Sequence, residues 1–296
     1  MHRWRFCLPA LIVLLAAATV SAQVEDNLER YSQANGEGYL KPLVQELGVS
    51  LNRGWFRSGH VPAFGLSLRI GVVAMTTPVL DEDKTFTATT EGAFKPVQSA
   101  QVPTLVGNPQ SLKLSGTGGT QYAFPGGLDI SSITLGVPQL TIGSLLGTSA
   151  VVRYIAVDLE DNDIGDLSLL GFGARHSISQ YFPLLPIDLS LGIFLQNLKI
   201  GDDLVKLSTL HIGLQASRGF GPLAVYAGIG RDQTQAELNY TYQGGAESSA
   251  VSFEFDGDNG LQTTLGAALN LGVLFLNGDM TFGQRQAYSV GLFLGF

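Results

Sequence analysis

The last stretch of the chain, Gln286-Ala-Tyr-Ser-Val-Gly-Leu-Phe-Leu-Gly-Phe296, predicts a β-strand with two different faces. Large apolar residues occupy every second position, while the positions between them are mostly small. Because successive side chains of a strand point to opposite faces, one face of this strand is large and apolar. That pattern suits a barrel wall with lipid on one side and a lumen on the other. The large face holds Tyr288, Val290, Leu292, Leu294 and Phe296.

The first residues predict a secretory signal peptide over residues 1–22. Arg3 and Arg5 precede an apolar run from Leu8 to Val20, and small residues lead to a cleavage site near Ala22. The run is shorter than the ~18 residues of a membrane-spanning helix. After cleavage the chain contains no cysteine, because Cys7 is removed. Disulfides and cysteine-ligated metals are therefore excluded.

The composition favours a membrane barrel and disfavours nucleic acid as a partner. The chain is 45% hydrophobic and only 14% charged, and its mean hydropathy is +0.22. No stretch after the signal peptide is long and apolar enough for a membrane helix. Removal of Arg3 and Arg5 leaves 15 basic against 25 acidic residues. We therefore expect no nucleic-acid partner.

Residues 23–57 differ from the rest of the chain and predict a helical segment. Apolar residues recur there at spacings of three and four, and we expect two short helices that end near Gly48. Gly36 and Gly38 interrupt the run, and Pro42 suits the start of a second helix. The segment could form a plug inside the barrel, a cap at its periplasmic mouth or a mobile periplasmic extension.

Residues 58–296 predict an all-β, antiparallel, up-and-down transmembrane barrel of about 12 strands, with 14 as the alternative. The alternative adds two strands from residues 105–146, a region rich in Gly, Ser, Thr and Pro. Breaker sequences separate the later runs, as hairpins require. The expected strands are 63–75, 84–90, 148–158, 166–180, 186–199, 206–217, 222–231, 234–243, 249–256, 260–271, 273–282 and 285–296.

If the C-terminus lies on the periplasmic side, the connections between these strands divide alternately into periplasmic turns and outer loops. The loops at 158–166, 200–206, 231–234 and 256–260 then lie outside, and they predict an acidic outer rim that includes Asp232 and Asp256. The densest acidic run offers a weak Ca²⁺ candidate, because Ca²⁺ prefers several oxygen ligands on a flexible loop. The favoured interpretation is a solvated loop facing lipopolysaccharide. The candidate ligands are Asp158, Glu160, Asp161 and Asp163.

The inward positions of the strands collect polar residues that can line a lumen. Buried arginines require partners, so they could pair with carboxylates of the N-terminal segment, such as Glu25, Asp26, Glu29, Glu37 or Glu46. They could also form a polar or anion-tolerant path, and the two interpretations are compatible. The lumen-facing candidates are Arg69, Arg153, Arg175, Gln196, His211 and Gln215.

Nothing in the sequence groups residues for catalysis. His176 and His211 point to opposite faces of the wall, so with His60 they predict no common site. The chain has no Gly-x-Ser-x-Gly elbow. We therefore expect a protein that is not an enzyme and requires no cofactor.

The terminal Phe296, with apolar residues at alternate positions before it, resembles the insertion signal of Gram-negative outer-membrane barrels. That resemblance implies recognition by the barrel assembly machinery. The signal peptide, N-terminal helical segment and strand 63–75 are similar in layout to the long-chain-fatty-acid transporter family. Such a layout implies an outer-membrane barrel of fourteen strands with an internal hatch. The hatch's Asn-Pro-Ala element is missing, since Ala34-Asn-Gly-Glu-Gly38 stands there, so no binding residue is carried over.

These features together predict a bacterial outer-membrane barrel in contact with lipid and lipopolysaccharide. The leading hypothesis is a passive conduit or binder for a small hydrophobic molecule, gated by the N-terminal segment. One alternative is a general diffusion porin whose lumen holds water. The other is a structural or adhesive barrel that uses its acidic outer loops.

Overall fold

The computed structural model describes residues 27–157, 167–201, 204–243 and 249–296, except the side chains of 258 and 259. Strands dominate, and one long helix precedes them. Short 3-10 turns cover Asp81–Lys84, Thr117–Gly119 and Ser179–Tyr181. The helix and strands are α1 Gln33–Leu51, β1 Phe64–Pro78, β2 Thr85–Thr89, β3 Ser99–Pro103, β4 Leu112–Ser115, β5 Gln121–Phe124, β6 Ser132–Leu145, β7 Thr148–Val157, β8 Leu167–Ser177, β9 Asp188–Ile200, β10 Val205–Phe220, β11 Leu223–Tyr242, β12 Ser249–Leu271, β13 Leu274–Phe282 and β14 Ala287–Gly295.

Ten antiparallel strands close into one barrel, in the order β1-β14-β13-β12-β11-β10-β9-β8-β7-β6. Closure joins the first and last strands, with Arg69 opposite Gly295 and Thr76 opposite Tyr288. The other four strands form two separate hairpins, β2–β3 and β4–β5, within residues 79–131. The all-β antiparallel barrel is therefore confirmed, and closure leaves the barrel sheet without a free edge.

The prediction of 12 or 14 strands is wrong, because the barrel has ten. Strand β11 runs straight through 231–234, where a shift of register between Arg231 and Gln233 replaces the expected turn. Strand β12 likewise runs through 256–260. A β-bulge admits an extra residue without ending a strand, so polar or Gly-rich sequence does not require a hairpin there.

The region between β1 and β7 accounts for the rest of the difference. The Thr-rich strand at Thr85–Thr89 exists, but it pairs with β3 outside the barrel. Strand β6 belongs to the wall although Pro138 interrupts its pattern. Pro138 is exposed on the outer face, and the β6–β7 pairing begins only at Gln139 opposite Arg153. Since proline has no backbone N–H, the pairing of β6 with β7 ends where Pro138 begins.

The two ends of the barrel differ. We call the end at Phe64 and Gly295 the C-terminal rim, because β1 begins there and β14 ends there. The opposite end, at Pro78 and Ser132, is the insertion rim, because residues 79–131 leave and re-enter the wall there. An even strand number places the start of β1 and the end of β14 at the same rim.

The outer face of the wall carries a belt of exposed apolar side chains. Leu66 is 87% exposed, and the alternating residues of β14 point the same way, with Leu294 57% exposed. A belt of this size on a water-soluble monomer would be unusual. Its members include Phe64, Leu66, Ile70, Phe172, Leu191, Ile193, Ile212, Leu214, Val225, Ile229, Leu265, Val290, Leu292, Leu294 and Phe296.

A single helix, α1, runs from Gln33 to Leu51, where the sequence predicts a break between two short helices. Gly36 and Gly38 lie inside it. Glycine is needed at these positions because a side chain at Gly36 would collide with the Tyr240 ring, and one at Gly38 with the Phe86 ring. Pro42 is also internal and buried, so packing on both sides overrides the tendency of proline to end a helix. Within the described residues, no helix is long and apolar enough to cross a membrane.

Candidate functional site

Residues 27–60, here the threaded segment, pass through the lumen from one rim to the other. Near the insertion rim, the Tyr240 hydroxyl of β11 donates to the Tyr31 carbonyl at 3.0 Å. Near the C-terminal rim, the Gly59 N–H donates to Ser217 Oγ of β10 at 2.8 Å. Between these points, α1 contacts strands on several sides of the barrel, among them β1, β6, β10, β11 and β12.

The lumen around α1, here the apolar half, is filled by hydrophobic packing. Helix residues Tyr39, Leu40 and Val44 are essentially inaccessible to solvent. The insertion of residues 79–131 packs on this half from the insertion rim: Val102, Leu105 and Phe124 belong to the same buried cluster, and the Leu105 N–H donates to the Tyr39 carbonyl at 2.9 Å. The surrounding residues include Leu28, Tyr31, Leu47, Phe124, Val137, Leu169, Leu198, Leu207, Leu238 and Phe253.

A buried ionic contact attaches α1 to two loops at the insertion rim. Arg285, between β13 and β14, donates to Glu46 of α1 and to Asp83 of the insertion. The second oxygen of Glu46 is buried without a hydrogen-bond partner. Burial raises the pKa of Glu46 to about 7, although Arg285 acts in the opposite direction. Hydrogen bonding to Asp83 raises the pKa of Arg285.

Arg153 of β7 holds the junction between the helix and the chain that follows it. Its guanidinium donates to the Leu51 carbonyl at 3.2 Å and the Arg53 carbonyl at 2.8 Å. It also donates to Gln139 at 2.9 Å and lies 3.5 Å from the Trp55 ring centre. The last carbonyls of a helix lack partners within it and carry partial negative charge. Arg153 therefore caps α1 at its C-terminus.

Residues 52–60 cross the rest of the lumen without regular secondary structure, and we call this region the polar half. Arg53 pairs with Asp232 of β11 at 2.8 Å, and His211 Nδ1 lies 2.5 Å from the same carboxylate. Gln262 of β12 donates to Asp232 as well. Asp232 is wholly buried, so this pairing replaces the water that a charged group needs.

Aromatic rings fix the threaded segment between these polar contacts. Trp55 stacks on Phe194 of β9, with ring centres 4.4 Å apart. Phe56 packs edge-on against His211 at 5.2 Å and lies over Gly228, where a methyl group would meet the ring. Gly54 has a positive φ of 70°, a conformation that favours glycine. Glycines on the inner wall therefore make room for rings of the segment.

Near the C-terminal rim, Arg57 of the segment lies close to two wall arginines, Arg69 and Arg175. Arg175 of β8 donates to the Ser58 carbonyl at 3.1 Å. Arg57 lies 5.0 Å from the ring centre of Phe293, and Arg69 of β1 lies 4.1 Å from that of Phe275. Asp188 at this rim lies 3.1 Å from the exposed His60 instead.

All six lumen-facing candidates are near the threaded segment. Gln196 donates to the Leu51 carbonyl, and the Gln215 amide oxygen accepts from the Arg57 and Ser58 N–H groups. Their roles in a path stay predictions. Of the carboxylates considered as partners, Glu46 pairs with Arg285 instead of a lumen arginine, and Glu25 and Asp26 lie outside the described residues. Glu29 accepts from Gln243 at the insertion rim.

Two aspartates that serve the polar half, Asp232 and Asp279, are not among the residues predicted to face the lumen. The predicted position of Asp232 in an outer loop is wrong, since Asp232 lies inside a continuous strand and points inward. Asp279 of β13 accepts from Tyr226 and Ser289. Asp232 and Tyr226 are an even number of residues apart, so on one strand both side chains face the lumen. This alternation was the sequence signal that could have placed Asp232 inside the barrel. It required recognising β11 as one strand.

Other predicted residues remain apart from the lumen. Val290, Leu292, Leu294 and Phe296 are exposed on the outer face. His176 bonds to Thr148 and Tyr181 on the wall's outer side, and the Ca²⁺ candidates within 158–166 lie outside the described residues. In the part of the chain that the structure describes, no three His, Cys, Asp or Glu side chains group as metal ligands.

Several solved structures of outer-membrane proteins match this chain, but only at low similarity. An outer-membrane protein of Vibrio cholerae, OmpT, is 8% identical over 78% of this chain and 100% of its own, with a TM-score of 0.27. The toluene transporter TbuX of Ralstonia pickettii is 9% identical over 80% and 90%, with a TM-score of 0.20. The CymD monoaromatic hydrocarbon channel is 9% identical over 79% and 88%, with a TM-score of 0.21. TM-scores in this range do not establish a common fold.

Two further comparisons concern the sequence. None of the curated proteins compared with the chain matches it. Residues 1–296 match the sequence model of one family, described as a family of unknown function (DUF6588).

Proposed function

We propose that this chain, which belongs to the DUF6588 family of unknown function, is an outer-membrane barrel that its own N-terminal segment closes. In this proposal the barrel is a passive conduit for a small hydrophobic molecule, and movement of the threaded segment opens it. The observation that carries the proposal is the unbroken burial of residues 46–57, which run from the second half of α1 into the polar half of the lumen.

The outer belt supports the membrane location. Its apolar side chains alternate with inward polar ones, as in barrels that meet lipid outside and a filled or hydrated lumen inside. We place the C-terminal rim on the periplasmic side, which puts the insertion of residues 79–131 at the cell surface. The signal peptide over residues 1–22 and recognition of the C-terminal strand by the assembly machinery are parts of the same proposal.

The filled lumen argues against a diffusion pore that is always open. A water-filled path needs space beside the segment, yet residues 51–57 are all buried. The cavity beside Asn52–Phe56, lined also by His211 and Asp279, measures only about 10 Å³. A volume of that size holds at most one water molecule. Passage of a solute therefore requires the segment to move.

The chemistry of the apolar half favours a hydrophobic solute. Withdrawal of α1 would leave Leu169, Leu198, Val205 and Leu207 of the wall without their packing partners. Such a lining, with few polar groups, binds apolar molecules. The Arg285 contact to Glu46 and Asp83 is where loops at the insertion rim can hold the helix or release it.

Planar-bilayer conductance tests this proposal with the refolded mature protein and a form lacking residues 23–57. We expect the intact protein to be silent and the shortened barrel to conduct. Steady conductance from the intact protein would instead indicate a diffusion porin. Thermal unfolding of the shortened form, followed by circular dichroism, must show that it is folded, so that silence can be assigned to a closed barrel.

A second candidate is a structural or adhesive barrel, and the insertion of residues 79–131 favours it. At the insertion rim, an open pocket of about 510 Å³ is lined by Glu29, Arg30, Glu91, Tyr122 and Tyr242, among others. Silence from both folded forms in the bilayer, with ligand binding confined to this rim, would support that function over a conduit.

A further inference from the structure

The C-terminal-rim end of the polar half contains three positive side chains in close succession. Arg57 and Arg175 are 6% and 5% exposed, and Arg69 is half-buried. Arg57 and Arg69 lie against Phe293 and Phe275, which are directly paired on β14 and β13. Arg175 reaches the carbonyl of Ser58, the residue after Arg57. Three different parts of the chain therefore bring their guanidinium groups to one place.

These arginines have no carboxylate partner among the described residues. The buried aspartates of the polar half are occupied elsewhere, Asp232 by Arg53 and His211, and Asp279 by Tyr226 and Ser289. Isolated buried charges are costly, so proteins normally pair them.

Several hydrogen-bond donors at this place are also unsatisfied. Arg57 Nη1, Arg69 Nε and Arg175 Nε are buried without a partner. The same holds for the hydroxyl groups of Ser149, which is paired with Arg175 across β7 and β8, and of Ser190. These groups come from the segment, β1, β7, β8 and β9. Among the residues that the structure describes, no acceptor joins them.

We propose that Arg57, Arg69 and Arg175 form a binding site for a small oxyanion of the phosphate class. Guanidinium groups donate in a planar fork that fits the oxygens of phosphate or sulfate. Several such donors, aided by serine hydroxyls, match an anion with oxygens in several directions. Ser58 is only partly buried and His60 is exposed, so the site lies one or two residues from the solvent at the C-terminal rim. The site does not depend on the proposed conduit.

Thermal unfolding tests the site with inorganic phosphate as the probe. The full-length mature protein, refolded in a non-ionic detergent, is heated in increasing phosphate, with chloride replacing it at constant ionic strength. A ligand that binds only the folded state raises the unfolding midpoint with its concentration. We expect phosphate and sulfate to raise the midpoint and chloride to leave it unchanged. A chloride effect equal to that of phosphate would overturn the proposal.

Two variants and a control make the test specific. Arg57→Gln and Arg175→Gln should weaken phosphate binding by about 10- to 100-fold, the loss expected for one charge-assisted hydrogen bond. Within the described residues the Arg57 side chain makes no hydrogen bond or ion pair, so Arg57→Gln should fold. Arg57→Lys should retain part of the binding. Arg218→Gln, which removes an exposed arginine at the same rim, should behave like the wild type.

The source of the anion is a separate arm of the experiment. Micelles doped with phosphatidylglycerol present the same phosphate chemistry on a lipid that is too large for the lumen. These micelles could stabilise the protein while inorganic phosphate does not, and Arg57→Gln could leave that stabilisation unchanged. This result would place the anion on the outer wall and overturn the lumen site. Because binding is read at equilibrium, failure here is distinguishable from absence of a gated conductance.

Discussion

The two halves of the lumen hold one continuous segment by different interactions. In the apolar half, Tyr39, Leu40 and Val44 of α1 are packed among hydrophobic residues of the wall and the insertion. In the polar half, residues 52–59 are held by hydrogen bonds, ion pairs and ring contacts to wall residues such as Arg153 and Asp232. Hydrophobic packing has little directional preference, whereas hydrogen-bonded charges fix one geometry. The apolar half therefore supplies bulk stability, and the polar half determines the course of the chain.

The charge balance of the halves also differs. Among the described residues, the polar half holds five arginines, Arg53, Arg57, Arg69, Arg153 and Arg175, against the two buried aspartates Asp232 and Asp279. The apolar half has one buried acid, Glu46, which Arg285 meets. The polar half thus carries an excess of positive charge that its own residues do not neutralise. Changes in the two halves should consequently differ in size and in their response to anions and pH.

The largest effect should come from Asp232→Asn in the polar half. This change leaves Arg53 buried without its counter-charge, and breaking such a pair costs about 3–5 kcal/mol. We expect a matching loss in the free energy of unfolding, measured by urea denaturation in detergent. The matched control is Asp188→Asn, because Asp188 is partly exposed and pairs only with exposed His60. An equal effect of the two changes would show that burial does not distinguish them.

A smaller loss is expected from Leu40→Ala in the apolar half. Leu40 is 1% exposed, and truncation of such a residue costs about 2–5 kcal/mol, depending on how far the cavity collapses. The same urea denaturation measures it. Leu184→Ala is the control, since Leu184 is 96% exposed in the turn before β9. If Leu40→Ala also abolished the stabilisation by phosphate, the two halves would not be independent and the division would be wrong.

Gly228→Ala tests the fit between the wall and the segment. The added methyl group would meet the Phe56 ring, and overpacking of this kind costs about 1–3 kcal/mol. We expect a lower unfolding midpoint and faster hydrogen exchange in residues 54–58. Gly219→Ala should change neither, because nothing lies within 4 Å of a side chain there. A silent Gly228→Ala would mean that the segment can shift away from β11.

The sequence determined the wall better than the lumen. The alternation of Tyr288, Val290, Leu292, Leu294 and Phe296 predicted an outward face because period two is a local property. The predicted number of strands is wrong because the sequence predicts turns at 231–234 and 256–260. Polar residues of a strand can face a filled lumen, and their sequence then resembles that of a turn. Pairings such as Arg153 with the Leu51 carbonyl join residues about a hundred positions apart. No local pattern encodes them, and hence the course of the threaded segment could not be predicted.

The smallest effect concerns pH and tests the attachment of α1 at the insertion rim. Because the pKa of Glu46 is raised to about 7, the folded protein binds a proton there that the unfolded chain loses near its ordinary pKa of 4.5. Stability that depends on this proton is complete at low pH and falls as pH rises between these two values. We expect the unfolding midpoint of the wild type to fall from pH 5 to pH 8 relative to Glu46→Gln, which cannot ionise. Glu37→Gln, the same change at a half-buried position of α1, should retain the wild-type dependence. A pH response of Glu46→Gln identical to the wild type would remove Glu46 from the attachment. In the bilayer, a conductance that appears only above pH 7 in the wild type would identify this attachment as the part of the lumen that yields first.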